Sequence, residues 1–444
     1  MIVKLLLDRK REGGELAPEE IRALIDAYTR GDVPDYQMAA FAMAVCCRGM
    51  TAAETHALTD AMQHSGECLT WAGPSADKHS TGGIGDKLSL IIQPLAASCG
   101  ISVPSLAGRG LGLTGGTVDK LESIPGYNAG LSLDDFKRVV ASCGVSIAAQ
   151  TAEIAPADKK LYALRDVTGT VPSIPLIVGS ILSKKLAEGA GTLVFDVKCG
   201  VGAFMKTRAE ACALARALVD GARAAGRRAA ALVTAMDEPL GWTVGNALEV
   251  EEAIGVLGGD NSREGRACRD LNGQDARCPS DVVALSVELA ARMVSLEKGV
   301  SLEEARAMCR TNLANGAAYA RFAEMVKLHG GDLDAFLGRE ACPHTAVVAA
   351  ADGFVARIDA QKVAQAAFEL GAGRAQATDE IDPEAGVRLL VTHGDRVEAG
   401  QPLAQLYAPV RPERMPVAVK LVQEAVEVSS IAPAPKPLIL EVVE

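Results

Sequence analysis

No apolar run in the chain is long enough to cross a bilayer, which excludes a helical membrane protein. Aromatic side chains are scarce, 4% of 444 residues. Stacking platforms for single-stranded nucleic acid therefore have little to be built from. Basic charge is not in excess: 45 Lys and Arg face 56 Asp and Glu, a formal net charge of -11. That disfavours a surface for duplex nucleic acid or anionic lipid and leaves only local basic pockets. The 11 cysteines include no C-x-x-C pair and no zinc spacing. Their scatter and odd number read as reduced, mostly buried thiols. No G-x-x-x-x-G-K-[ST] loop is present, which disfavours a nucleoside triphosphatase. The first eleven residues place their basic side chains after the apolar ones, the reverse of a secretory signal. The expected setting is the cytoplasm, with no nucleic-acid or membrane partner.

What remains is ordinary globular material, 49% hydrophobic, with length for two to three domains. The first 65 residues read as helices. Ile21, Leu24, Ile25 and Tyr28 fall at i, i+3, i+4, i+7 behind Pro18, and Met38, Phe41, Ala42 and Val45 repeat the spacing. Thr51-Ala-Ala-Glu54 is a capping box. A small helical domain over 1–65 follows. From about residue 74 apolar helical and strand patterns alternate over 74–150 and 191–335, the signature of a mostly parallel sheet flanked by helices. Residues 158–190, with an apolar helical face at Leu176, Ile177, Ser180, Ile181 and Lys184, return to the helical domain. Residues 345–444 read as a β-rich module. Within it, 393–406 resembles a hairpin of a lipoyl or biotinyl domain without the required tip lysine, and Pro433, Pro435 and Pro437 predict a stiff tail. The fold class is thus α/β: a small all-helical domain hinged to a larger α/β domain, with a β-rich C-terminal module.

Two glycine-rich loops carry the chemistry. Lys78-His79-Ser80-Thr81-Gly82-Gly83-Ile84-Gly85-Asp86-Lys87-Leu88-Ser89 sets a lysine, a histidine and hydroxyls at the mouth of a flexible loop. Gly108-Arg109-Gly110-Leu111-Gly112-Leu113-Thr114-Gly115-Gly116-Thr117 follows. Glycines let backbone N–H groups approach an anion, and Lys, Ser and Thr add charge and hydrogen bonds. The second loop matches G-x-G-x-x-G literally, but it does not open the first strand–helix unit, so a dinucleotide site is not supported.

These loops, together with Arg165-Asp166-Val167-Thr168, Ser180-Ile-Leu-Ser-Lys184-Lys185, Asp196-Val-Lys198, Gly202-Ala-Phe204-Met205 and Gly245-Asn-Ala-Leu-Glu249, resemble the pyrimidine-nucleoside phosphorylases over nearly the whole chain, in order. The resemblance implies a cytoplasmic homodimer, joined through the helical domain, that takes a pyrimidine nucleoside and inorganic phosphate and needs no cofactor. It implies a phosphate cradle of Lys78, Ser80, Ser89, Gly108, Arg109 and Thr117. His79, Arg165 and Lys184 become the catalytic residues, and Leu111, Tyr162, Ile177, Ser180, Ile181 and Phe204 complete the nucleoside pocket. Closure about hinges near 66–74, 150–158 and 190–194 is expected to unite the two halves. The chemistry agrees: the anomeric carbon needs a held anionic nucleophile, and the departing base needs cations at its carbonyls. His79 can act on the base by proton transfer or by hydrogen bonding alone.

The chain departs from the family at several places. Ala107 stands where a phosphate-binding serine is usual; one lost hydrogen bond is worth about 1 kcal/mol. Leu113 replaces a histidine, Pro172 an aspartate, and Val178-Gly179 a Thr-Ala pair. The departures read as gathering around one pocket, either by compensated drift or for an altered base or sugar. Some relatives hold potassium at positions matching Gly85, Lys87, Leu240, Thr243 and Glu252; here a Lys87–Glu252 ion pair is expected to replace the metal. Two other readings stay open: an anthranilate-type phosphoribosyltransferase, and a weakly catalytic nucleoside-binding protein.

Overall fold

The computed structural model describes residues 2–110, 112–258, 279–376 and 379–444. Four helices open the chain: α1 (Val3–Arg11), α2 (Pro18–Arg30), α3 (Asp35–Arg48) and α4 (Ala52–Gln63). The periodic apolar residues of α2 and α3 are all buried in one cluster. The capping box forms, with the Glu54 N–H donating to Thr51 Oγ1 at 3.2 Å and the Thr51 N–H to Glu54 Oε2 at 2.9 Å. Glu54 also holds the buried Lys10 at 2.7 Å, locking α1 to α4.

The chain then builds β1 (Ala76–Ser80), α5 (Leu88–Ser98), β2 (Val103–Ala107), α6 (Thr117–Leu121), α7 (Leu133–Cys143) and β3 (Val145–Ala149). It returns to the bundle through α8 (Pro156–Thr168) and α9 (Ile174–Ala187). Ala157, Leu161 and Leu176 join the bundle core. Further along α9, Val178, Ile181, Leu182 and Leu186 pack in a second core with β4 (Thr192–Cys199), α10 (Arg208–Ala224) and β5 (Arg228–Ala235). One helix thus belongs to both bodies.

Strands β1, β4 and β5 pair in parallel, as do β2 and β3, and a parallel bridge between Ser75 and Ser102 joins the two sets. All eight residues of β4 are buried, as a parallel strand covered on both faces requires. Short β6 (Thr243–Val244) and α11 (Asn246–Gly258) follow, and α12 (Ser280–Lys298), α13 (Leu302–Ala314), α14 (Ala317–Leu328) and α15 (Leu333–Leu337) complete the α/β core.

The C-terminal region holds β7 (His344–Val348), β8 (Gly353–Ile358), α16 (Ala360–Leu370), β9 (Gly386–Leu389), β10 (Arg396–Val397), β11 (Pro402–Tyr407), α17 (Met415–Ala425), β12 (Val426–Ser429) and β13 (Ile439–Val443). The expected hairpin over 393–406 does not form. Strand β10 pairs with β8, whereas β11 pairs with β7 and β9 in another sheet. Gly394 and Gly400, both at positive φ, turn the chain on each side of β10 and direct it away from β11. Nor is the proline-rich tail a free end. It leads to β13, which adds antiparallel to β5 and completes a sheet of order β1-β4-β5-β13. Among the described residues no helix is long and apolar enough to cross a membrane.

Candidate active site

Both glycine-rich loops leave the C-terminal ends of parallel strands, the first after β1 and the second after β2, where open α/β sheets place their ligands. Lys78 is buried, and its ammonium lies 3.5 Å from Ser89 Oγ, 3.8 Å from Asp196 and 4.0 Å from Asp86. Among the described residues it has three loose partners and no tight one. Burial lowers its pKa, while Asp86 and Asp196 oppose the shift. Asp86 organises the loop. It accepts a short hydrogen bond from the Ser80 hydroxyl and a 3.3 Å one from the Leu88 N–H. Burial pushes its carboxyl up, but Lys78, Lys198 and Ser80 outweigh this and hold it well below the usual range. Ser80 Oγ also accepts from the Gly82 N–H at 3.1 Å.

The second loop folds tightly on itself. A Cβ on Gly110 would sit 2.5 Å from the Gly116 nitrogen, so only glycine fits there. Asp119 holds the fold by accepting from the Gly110 and Gly116 N–H groups at 2.7 and 2.8 Å. The Arg109 side chain is turned to Asp119 and Glu122, and Gly108 is exposed. Thr117 opens α6, half-buried. Leu111 lies outside the described residues.

His79 follows Lys78 on β1. Burial and the ammonium groups of Lys185, Lys184 and Lys78 hold its imidazole well below the usual range, so it is neutral at pH 7. The Lys184 ammonium donates to Ser180 Oγ at 3.0 Å and makes a short ion pair with Asp158 on α8. Arg165 is buried, and its guanidinium donates to the carbonyls of Leu176 and Val171 at 2.9 Å each and of Thr170 at 3.3 Å. Its fork thus braces the 170–176 segment. Tyr162 is exposed beside Arg165, at 6.0 Å from ring centre to guanidinium, and Phe204 is exposed too. Ile177 is half-buried, and Ser180 and Ile181 are buried.

At the expected cation position, the Lys87 ammonium lies 3.0 Å from Glu252 Oε1, 2.9 Å from the Leu240 carbonyl and 3.1 Å from the Thr243 carbonyl. Gly85 at φ +71° lets the loop approach, since a Cβ there would meet the Leu240 carbonyl at 2.6 Å. The ammonium fills this oxygen cage, so these residues do not fit a metal ion. No cluster of three or more metal-ligating side chains occurs among the described residues.

The departures have different local surroundings. Gly179 faces Met62 and Leu58 of α4, where a Cβ would sit 3.0 and 3.3 Å away. It serves the crossing of α9 over the bundle. Ala107 and Leu113 pack on the α/β core, and Pro172 is exposed. Sequence reasoning also missed Asp86, Asp158 and Asp196. Asp86 and Asp196 stood inside recognised motifs, but only the fold shows them facing Lys78. Asp158 lies 26 residues from Lys184 and gave no signal.

A helical bundle joined to an α/β domain, with lysine, histidine and hydroxyls on glycine-rich loops between them, defines a glycosyl-transferring enzyme. Family models agree: "Glycosyl transferase family, helical bundle domain" matches residues 4–66 and "Glycosyl transferase family, a/b domain" residues 72–319. "Pyrimidine nucleoside phosphorylase C-terminal domain" matches 354–429. A pyrimidine-nucleoside phosphorylase of Geobacillus stearothermophilus is 44% identical over 91% of each chain. A thymidine phosphorylase of Sinorhizobium medicae is 45% identical over 99% of this chain and 98% of its own. The chain belongs to the pyrimidine-nucleoside phosphorylase family. The solved anthranilate phosphoribosyltransferase of Thermus thermophilus is similar in fold, with a TM-score of 0.57 over 73% of this chain and 98% of its own. At 19% identity that likeness carries architecture and not reaction.

Proposed function

We propose that the protein catalyses reversible phosphorolysis of a pyrimidine nucleoside, giving the free base and the α-1-phosphate of ribose or deoxyribose. The observation that carries this reading is the buried Lys78 ammonium, held loosely at 3.5–4.0 Å by three partners and ready to take an anion. Phosphate is the co-substrate and no cofactor is needed. Lys78, Ser80, Ser89 and Thr117 bind it, helped by backbone N–H groups at Gly108 and Arg109. Phosphate attacks the anomeric carbon opposite the base, so the centre inverts. Lys184 and Arg165 stabilise negative charge growing on the base carbonyls, and Ser180 bonds its imide edge. Neutral His79 supports donation of a hydrogen bond to the base without a prior imidazolium. Tyr162, Ile177, Ile181 and Phe204 line the nucleoside.

In this reading Arg165 must exchange some backbone carbonyls for the substrate, a change that fits closure at the three chain crossings. Lys87 supplies the positive charge that a metal would otherwise bring. Exposed Leu5 on α1 and Tyr36 and Met43 on α3 support a homodimer through the helical domain. The exposed thiols of Cys47 and Cys68 support a reducing, cytoplasmic setting.

The test is release of free base from thymidine, uridine, deoxyuridine and cytidine, with and without phosphate. Release from at least one of the four, strictly dependent on phosphate, is expected. In Lys78→Met the KM for phosphate should rise at least tenfold, a loss of about 1.4 kcal/mol. Phosphate-independent release, or none from any of these nucleosides, overturns the reading.

A further inference from the structure

We propose that Cys99 and Cys309 are a thiol-oxidation site, closing to a reversible disulfide when a hydroperoxide reaches them. The inference does not depend on the phosphorolysis reading. Cys99 caps the C-terminal end of α5 and Cys309 lies within α13, 210 residues further on, with the two sulfurs 3.9 Å apart. A disulfide needs about 2.05 Å, so the gap to close is about 2 Å, within reach of side-chain rotation and a small helix shift. The two elements are already fastened. Asn312 on α13 donates to the Ser98 carbonyl at 2.9 Å and to Cys99 Sγ at 3.5 Å, and Lys298 donates to the Cys99 carbonyl at 2.8 Å. Ser98, Cys99 and Gly100 line a surface cleft opposite Met308, Thr311 and Asn312, which gives a small oxidant its path.

The two sulfurs are chemically unequal. The hydrogen bond from Cys309, with others from Ser98 and Asn312, brings the Cys99 thiol down to about 7. Its bond to Cys99 and burial push the Cys309 thiol up. Cys99 is therefore the attacking thiolate and Cys309 the resolving thiol. The Cys99 sulfur attacks one peroxide oxygen. An S–O bond forms, the O–O bond breaks, and the departing hydroxide takes up the proton that Cys99 released on ionising, leaving as water when the oxidant is hydrogen peroxide. The Cys309 sulfur then attacks the sulfenic sulfur. The S–S bond forms, the S–O bond breaks, and hydroxide leaves with the Cys309 proton as water. Sulfur is oxidised and peroxide oxygen reduced.

The experiment treats the reduced full-length protein with equimolar hydrogen peroxide and maps peptides without reduction. The expected product is a peptide joining Cys99 to Cys309, lighter by two hydrogens and opened by dithiothreitol. Its formation should raise the Tm, because the closed loop restricts the unfolded chain. Cys309→Ser should leave Cys99 as a sulfenic acid that dimedone labels. A map in which Cys47 or Cys68 is oxidised while the 99–309 peptide is absent overturns the proposal. So does dimedone labelling of Cys99 in the wild type with no cross-link. The wild-type map decides even if the variant does not fold.

Discussion

Burial strips the His79 imidazolium of the solvent it would need, and the ammonium groups of Lys185, Lys184 and Lys78 add a field that expels its proton. The sign of the pH dependence follows. In the unfolded chain His79 titrates near 6.5, whereas in the folded protein it stays neutral well below that. Below about pH 6.5 the unfolded state therefore binds more protons, and His79 subtracts stability as the pH falls from 6.5 toward its depressed folded value. Imidazole resonances followed by NMR should show His79 titrating below 6.5 in the free protein; a midpoint at or above that value would sink the neutral-imidazole reading. His79 was legible in the sequence as a chemical group, from its place between Lys78 and Ser80. Its protonation state was not, because Lys184 and Lys185 reach it only through the fold.

Loops and helices show the same division. The cores of α2 and α3 and the Thr51 capping box were readable because 3.6-residue periodicity and i, i+3 caps are local properties. The role of Gly179 was not readable, since what it avoids, Met62 and Leu58, belongs to another helix. Lys87 shows what an element-level swap can do. Its ammonium meets one carboxylate and two carbonyls at 2.9–3.1 Å, bridging the first loop, the 240–243 segment and Glu252 on α11. Removing it leaves Glu252 buried without its cation, a change worth roughly 3–5 kcal/mol for a broken buried pair. Lys87→Ala should accordingly melt well below the wild type. Potassium or ammonium chloride should raise its Tm more than sodium chloride does, whereas the wild type should not discriminate among the three salts. A wild-type activity that requires potassium, or a cation found on Glu252, would contradict this account.

Across the whole molecule, the pairing of distant strands was the part that local sequence patterns could not supply. Alternation of helix and strand argued a parallel sheet, and β1, β4 and β5 form one. Nothing local to residues 433–443 says that they return to β5, because the pairing is fixed by an open edge some 200 residues earlier. The return has physical work to do. Without β13 the outer edge of β5 would present unpaired N–H and C=O groups, a template for association with other chains. Leu440 and Val443 also cover the α10 side of the sheet, and Arg208 and Arg292 hold Glu441 and Glu444. Deleting residues 431–444 should therefore do two things at once. Loss of half-buried apolar cover should lower the Tm by at least about 2 °C, and the bared β5 edge should make the protein aggregate in proportion to its concentration. Differential scanning fluorimetry and light scattering over a dilution series measure both. If the truncated protein keeps the wild-type Tm and scatters no more light, then β13 is an accessory strand and the sheet closes at β5 by other means.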